Sequence, residues 1–258
     1  MGKSALLGYT GFVGSTLLTQ TTFDDLYNSQ NISHICGKEY NYIVCAAAPA
    51  VKWKANQEPE QDLNNLKMLM DHLKQVKTNY FVLISTVDVY QQPYDVSEAT
   101  AINPDTTDPY GRHRFYLEQF VKQQFEKHLI VRLPGLFGEG LKKNFIYDLI
   151  HDNRFDLTHK DSSFQFYNMA DLWEDLQTAK QQGLKLVNFT AAPITASEIA
   201  KQALQMDFDN ITEKPPVSYN MLSDYAVVFH GQQGYFKSKQ QILDEIAGFI
   251  VSQRSGLQ

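Results

Sequence analysis

Short apolar runs alternate with helical stripes through the first half of the chain. Strands are predicted at Ser4 to Leu7, Asp25 to Asn28, Tyr42 to Cys45, Phe81 to Ser85 and Leu129 to Leu133. Helical periodicity fills the intervals: Val13 to Leu18, then Gln61 to Val76 with Leu63, Leu66, Leu69 and Leu73 on one face, then Tyr110 to Lys127 with Phe115, Tyr116, Leu117, Phe120 and Val121. These stripes read as core. Strand–helix alternation predicts an α/β fold, a doubly wound parallel sheet. Gln91 to Pro109 is a long polar loop at a strand end, where open sheets bind ligands. After Pro134 the pattern becomes irregular, with Gly135, Gly138 and Gly140 close together and a last helix near Ser238 to Val251. The predicted division is a sheet-bearing core over 1–137, to which 167–190 returns, and a smaller C-terminal part over 138–166 and 191–258.

The first strand runs straight into Gly8-Tyr9-Thr10-Gly11-Phe12-Val13-Gly14 and a helix. Gly8 permits the sharp turn, Gly11 lets a pyrophosphate approach bare backbone, and Gly14 brings helix and strand together. Free N–H groups and the positive helix end then face the phosphates. A strand and a helix flanking such a turn predict a Rossmann-type dinucleotide site. Strand two ends at Asn28-Ser29-Gln30-Asn31, with neither the acid that favours NAD nor the arginine that favours NADP; the first arginine of the chain is Arg112. Polar side chains there, helped by Lys38, lean the choice between NAD and NADP toward NADP.

With 258 residues, 43% hydrophobic and 20% charged, the chain can bury a full core. The net charge of −6 is spread without runs, so nucleic acid and membrane surfaces are not expected partners. No apolar run reaches the roughly eighteen residues of a membrane helix, and Met1-Gly2-Lys3 leads directly into strand one, so a cytoplasmic protein is expected. Cys36 and Cys45 are the only cysteines, and the seven histidines form no His-Glu-x-x-His; no metal is expected.

The strand Phe81 to Ser85 continues into Thr86-Val87-Asp88-Val89-Tyr90, and Tyr110-Gly111-Arg112-His113-Arg114 heads the helix that follows. Helical spacing puts Tyr110, His113 and Arg114 on one face. Here the chain resembles the extended short-chain dehydrogenase/reductases, which include nucleotide-sugar epimerases, dehydratases and reductases. The resemblance runs nearly end to end. Gly8, Gly11 and Gly14 match the family's Gly-x-x-Gly-x-x-Gly, Ala46-Ala47-Ala48 its alanine-rich strand end, Ser85 to Tyr90 its Ser-Thr-x-x-Val-Tyr element, and Pro109 to Arg114 its Pro-Tyr-Gly-x-x-Lys element. Val131 to Gly138, Phe166 to Leu172 and Val187 to Ile199 resemble later family segments.

The resemblance implies an NAD(P)-dependent oxidoreductase or epimerase acting on a carbonyl or secondary alcohol of a sugar, nucleotide-sugar or similar small molecule. Tyr110 would be the general acid/base, Thr86 would bond the substrate oxygen and Arg114 would hold the nicotinamide ribose. Cofactor contacts would come from Gly8, Thr10, Gly11, Phe12, Val13, Asn28, Ser29, Ala46, Ala47, Ala48, Tyr110, Arg114 and Pro134, and substrate contacts from Thr86, Asp88 and Asn144. Arg114 stands where the family has lysine; it keeps a cation but relays protons poorly. A cation about 4 Å from a tyrosinate contributes roughly 4 kcal/mol at an effective dielectric near 20, enough to lower the phenol's pKa unless desolvation opposes it. Val87 follows Thr86 where dehydratases carry an Asp-Glu pair, and Ala46 to Glu60 resembles the reductases, so reduction is favoured over dehydration.

A second tyrosine–cation spacing, Tyr235 and Lys239, lies beyond the sheet, where no strand-borne hydroxyl is expected. The substitution at 114 also leaves open a catalytically silent NAD(P)-binding protein acting as a sensor or regulatory subunit. A third alternative is a subunit whose partner surface uses Tyr235 to Phe249. The small C-terminal part is expected to supply the substrate-binding region. Helices like those at Gln61 and Tyr110 form a dimer face in many relatives, which is compatible with a homodimer.

Overall fold

The computed structural model describes residues 2–256 as two compact units. The first comprises the chain up to Gln91 together with Thr100–Leu133 and Leu172–Val187. Its strands are β1 (Ser4–Leu7), β2 (Asp25–Tyr27), β3 (Tyr42–Cys45), β4 (Phe81–Thr86), β5 (His128–Leu133) and β6 (Leu186–Asn188, whose last residue opens the second unit). They form one sheet in the order β6-β5-β4-β3-β1-β2. The pairings from β2 across to β5 are parallel. The apolar runs of β3, β4 and β5 are buried almost throughout, as a sheet covered on both faces requires. Its helices are α1 (Phe12–Gln20), α2 (Lys52–Gln57), α3 (Pro59–Leu73), α4 (Pro109–Gln124) and α5 (Leu172–Gln181).

Because β2 and β3 lie on opposite sides of β1, the chain reverses its direction of travel there. The carboxyl ends of β1 and β3 therefore flank the topological switch point, where open sheets bind their ligands. The link from β2 to β3 holds one 3-10 turn, Ile32–Ile35, and a two-residue bridge, Glu39–Tyr40, that pairs with Lys77–Thr78. No strand of the described residues lies outside β2.

Two helical stripes differ from the apolar pattern. On α3 the buried face is Asp62, Leu66, Leu69 and Leu73, with Leu63 half-buried beside it. On α4 it is Tyr110, Gly111, His113, Arg114, Leu117, Glu118 and Val121, while Tyr116 is exposed and Phe115 and Phe120 are half-buried. The 3.6-residue period is kept, but charged residues occupy it because each finds a partner on another element.

The second unit comprises Gln92–Ala99, Pro134–Asp171 and the chain from Asn188 onward. Its core includes Phe137, Phe145, Ile194, Ile199, Ile242 and Ile246. Its helices Ala196–Leu204 and Lys239–Ser255 both begin with capping boxes, Thr195 with Glu198 and Ser238 with Gln241. The boundaries differ from the expected ones for a pairing reason. Tyr94–Val96 pairs with Asn220–Met221, and Gly135–Phe137 with Phe166–Asn168, so 92–99, 134–137 and 167–171 lie in this unit.

Candidate active site

The glycine turn is built on backbone proximity. Gly8 has φ +83°, and a Cβ there would meet the Ala46 carbonyl oxygen at 2.3 Å; one on Gly14 would meet the Gly8 carbonyl oxygen at 2.2 Å. A Cβ on Gly11 would meet only the Gly8 oxygen, at 3.4 Å, leaving the first turn of α1 open to an approaching group. Gly11 caps α1 without a side-chain hydrogen bond, and no acid lies in the first turn. Thr10 and Gly11 are exposed; Phe12 and Val13 are half-buried. Ala46, Ala47 and Ala48 follow β3 directly, where the Ala46 N–H donates to the Leu7 carbonyl at 2.9 Å.

At the end of β2, Asn28 turns inward to its own loop. Its N–H donates to Asn31 Oδ1 at 2.7 Å, its Oδ1 accepts from the Gln30 N–H at 2.9 Å, and its Nδ2 donates to the Tyr9 hydroxyl at 3.3 Å. Ser29 is exposed. Lys38 donates to the Tyr27 hydroxyl at 2.6 Å and pairs with Asp25 at 3.4 Å, so it serves the edge of the sheet.

Thr86 and Tyr110 are neighbours where the turn after β4 packs against the head of α4, and the Thr86 hydroxyl acts to lower the phenol's pKa. Thr86 ends β4, where its Oγ1 accepts from the Asp88 N–H at 3.2 Å and lies 3.3 Å from Asp88 Oδ2. Tyr110 enters at the head of α4, which Asp108 caps by accepting from the Gly111 N–H at 3.0 Å. Gly111 is required here: a Cβ would lie 1.8 Å from the Asp88 carbonyl oxygen, so only glycine lets α4 start against the turn after β4. Asn56 of α2 fixes the same corner, accepting from the Tyr110 N–H at 2.9 Å and donating to Asp108 at 3.2 Å.

Arg114 is held by partners within the protein. Its Nη1 donates to Asp62 Oδ2 at 2.5 Å and its Nη2 to Asp62 Oδ1 at 2.9 Å and the Pro49 carbonyl at 2.5 Å, and His113 Nδ1 lies 2.7 Å from the same carboxylate. The guanidinium lies over the Tyr110 ring, 4.0 Å from its centroid, rather than beside the phenolic oxygen. Among the described residues its Nε is one of two buried side-chain polar atoms without a partner. The expected lowering of the Tyr110 pKa is also reversed. Burial raises it and outweighs the Arg114 and Lys52 cations, while Asp88 raises it further.

Three participants escaped the sequence reading: Asp62, Asn56 and Lys52, whose Nζ donates to Asp88 Oδ1 at 2.6 Å and lies 3.7 Å from Asp108 Oδ2. The signal available was the four-residue spacing of Lys52 and Asn56, which puts both on one face of α2.

Pro134 and Asn144 belong to the second unit. Asn144 has φ +122°, caps the helix Phe145–His151 by accepting from the Tyr147 N–H at 3.1 Å, and donates to the Leu136 carbonyl at 2.8 Å. The alternative pair does not meet: the Tyr235 hydroxyl donates to Asn220 at 2.6 Å and Lys239 binds Glu198 at 2.9 Å. Among the described residues no helix is long and apolar enough to cross a membrane, and no three His, Cys, Asp or Glu side chains are grouped to hold a metal.

Comparison with known proteins gives a family model, described as the NAD dependent epimerase/dehydratase family, that matches residues 20–155. Solved structures resemble the whole chain. dTDP-4-dehydrorhamnose reductase from Yersinia enterocolitica superposes with a TM-score of 0.76 at 16% identity, over 98% of this chain and all (100%) of that one. RMD from Pseudomonas aeruginosa, complexed with NADPH, gives 0.76 at 14%, over 99% and 100%. UDP-glucose 4-epimerase from Thermotoga maritima, with UDP-glucose, gives 0.71 at 14%, over 99% of each. At these identities the likeness is one of fold. Curated protein sequences give no match.

Proposed function

The chain belongs to the NAD dependent epimerase/dehydratase family, and from that premise we propose that it reduces or epimerises a sugar or nucleotide-sugar at a carbonyl or secondary alcohol, with Tyr110 as general acid/base. The observation that carries this reading is the packing of the turn after β4 against the head of α4, which makes Thr86 and Tyr110 neighbours at the carboxyl end of β4.

The residues fit a dinucleotide. The bare approach at Gly11, whose own N–H donates to the Gly8 carbonyl at 3.0 Å, and the uncapped start of α1 suit a diphosphate, with backbone N–H groups of Thr10, Phe12 and Val13 as donors, and Gly8 and Ala46 to Ala48 flank the switch point. Asn28 and Ser29 would take the adenosine ribose. They carry no carboxylate to repel a 2′-phosphate, which favours NADP. The bound cofactor supplies or accepts the hydride.

The chain's own residues handle the proton. Tyr110, its pKa raised by burial, carries its proton at neutral pH and can donate it to an oxygen gaining charge, which is the demand of carbonyl reduction. Thr86 would steady that same oxygen. Dehydration is disfavoured, because Val87 is buried beside Thr86 and Asp88 is ion-paired to Lys52. A homodimer across α3 and α4, where Met68 and Tyr116 are exposed, belongs to the same reading. The test is loss of nicotinamide absorbance when the protein is given NADPH or NADH with a panel of UDP- and dTDP-linked keto-sugars. Tyr110→Phe should lower kcat by about 10²–10⁴-fold, and undiminished turnover in that variant would remove Tyr110 from the mechanism.

One observation favours a second reading. Arg114 holds Asp62 and the Pro49 carbonyl instead of presenting its fork outward, as expected of a nucleotide-binding protein that has lost turnover. Tight NADPH binding without oxidation across the panel would select it.

A further inference from the structure

Thr86 has one hydroxyl proton and two groups that compete for it: Asp88 Oδ2 at 3.3 Å, and the neighbouring Tyr110 phenol, whose ionised form that hydroxyl favours. If the proton goes to Asp88, the phenol faces a lone pair and must keep its own hydrogen. If it goes to Tyr110, it supports the phenolate. The charge on Asp88 decides between them, and the ammonium of Lys52 touches that carboxylate through its other oxygen, at 2.6 Å. Lys52 is 44% exposed, begins α2, and shares a face with Asn56, which itself holds the Tyr110 N–H. The charged groups facing Tyr110 include Arg114 of α4, Asp88 of the turn after β4 and Lys52 of α2, and Lys52 pairs with Asp88 and lies 3.7 Å from Asp108.

We propose that Lys52 is a positioning residue for the Thr86–Tyr110 pair: by neutralising Asp88 it turns the Thr86 proton toward the phenol, supplying from α2 the cation that Arg114 has committed to Asp62. The catalytic value of this arrangement rests on the reading of Tyr110 as the acid/base, whereas the arrangement itself does not. Arg114 cannot take the part, since both of its terminal nitrogens are engaged and its plane lies over the ring.

The measurement is a ¹⁹F titration of the full-length protein carrying 3,5-difluorotyrosine at position 110, whose phenol ionises well below tyrosine's range and so within the folded range of pH. Lys52→Gln should move its midpoint upward, because the cation is gone and Asp88 reclaims the Thr86 proton. Lys52→Arg should restore it, Asp88→Asn should move it downward, and the double variant Lys52→Gln/Asp88→Asn should fall between the two single changes. In turnover, Lys52→Gln should cost about tenfold in kcat with KM unchanged, and arginine should rescue it. A midpoint unmoved or lowered in Lys52→Gln would overturn the proposal. Midpoints that move as expected, with no turnover on any keto-sugar, would uphold the arrangement and remove the oxidoreductase reading alone.

Discussion

Two arginines are buried against carboxylates around α4, and they end in different condition. Arg132 of β5 is 2% exposed, and every nitrogen is bonded: Nε and Nη2 to Glu118 at 3.0 and 2.6 Å, and Nη1 to the Tyr90 hydroxyl at 2.7 Å. Ser85 closes the circuit by donating to Glu118 at 2.6 Å. Arg114, 3% exposed, grips Asp62 but leaves Nε without a partner and lies over Tyr110. A closed network belongs to the scaffold, here tying together the end of β4, α4 and β5. An open one carries a cost of about 1–3 kcal/mol for its orphaned donor, and such costs collect where function constrains the chain. The same comparison separates the parts of a family motif: Ser85 and Tyr90 serve the closed circuit, while Thr86 between them serves the candidate site.

Breaking the closed circuit should have the largest effect. Glu118→Gln leaves the Arg132 cation buried and unpaired, and the expected loss is about 3–5 kcal/mol of unfolding free energy in a urea titration. A loss below about 1 kcal/mol, the scale of exposed pairs, would mean that water reaches this network and that the contrast with Arg114 is false.

Arg114→Lys probes the open pair and recreates the usual family spacing to Tyr110. A lysine cannot fork onto both Asp62 oxygens or reach the Pro49 carbonyl as well, so stability should fall by about 1–3 kcal/mol. Turnover should not rise, because Asp62 would hold the ammonium as it holds the guanidinium. Increased kcat would show instead that the guanidinium obstructs the site.

The scaffold was the more legible half of this molecule. Continuous apolar runs gave β1, β3, β4 and β5 to within a residue or so, because a strand buried on both faces has little freedom in composition. The glycine turn was legible because its close backbone contacts exclude any other residue at Gly8. What escaped was buried charge. Asp62, Arg114, Glu118 and Arg132 sit inside because each meets its opposite across tens of residues of sequence, and no local period reports such a meeting. Helix α2 escaped for a related reason: Lys-Trp-Lys-Ala-Asn-Gln offers only Ala55 to the core, and its purpose lies in what Lys52 and Asn56 touch.

The smallest predicted effect reports on Tyr110 without any substrate. Burial raises its pKa above the usual phenol value of about 10. As pH climbs past that usual value the unfolded chain gives up this proton first, so the unfolded state then binds fewer protons than the folded one. Stability must fall, by at most about 1.4 kcal/mol per pH unit from this group, until the folded phenol also ionises. At neutral pH both states hold the proton and the group contributes no slope. Tyr110→Phe should therefore leave the pH dependence of unfolding unchanged near pH 7 and make it shallower in the alkaline range, read by urea titration at a series of pH values. An unaltered alkaline slope would mean that the phenol ionises in the folded protein as it does in water, and the ring stacked under Arg114 would then be exposed to solvent in a way its burial excludes.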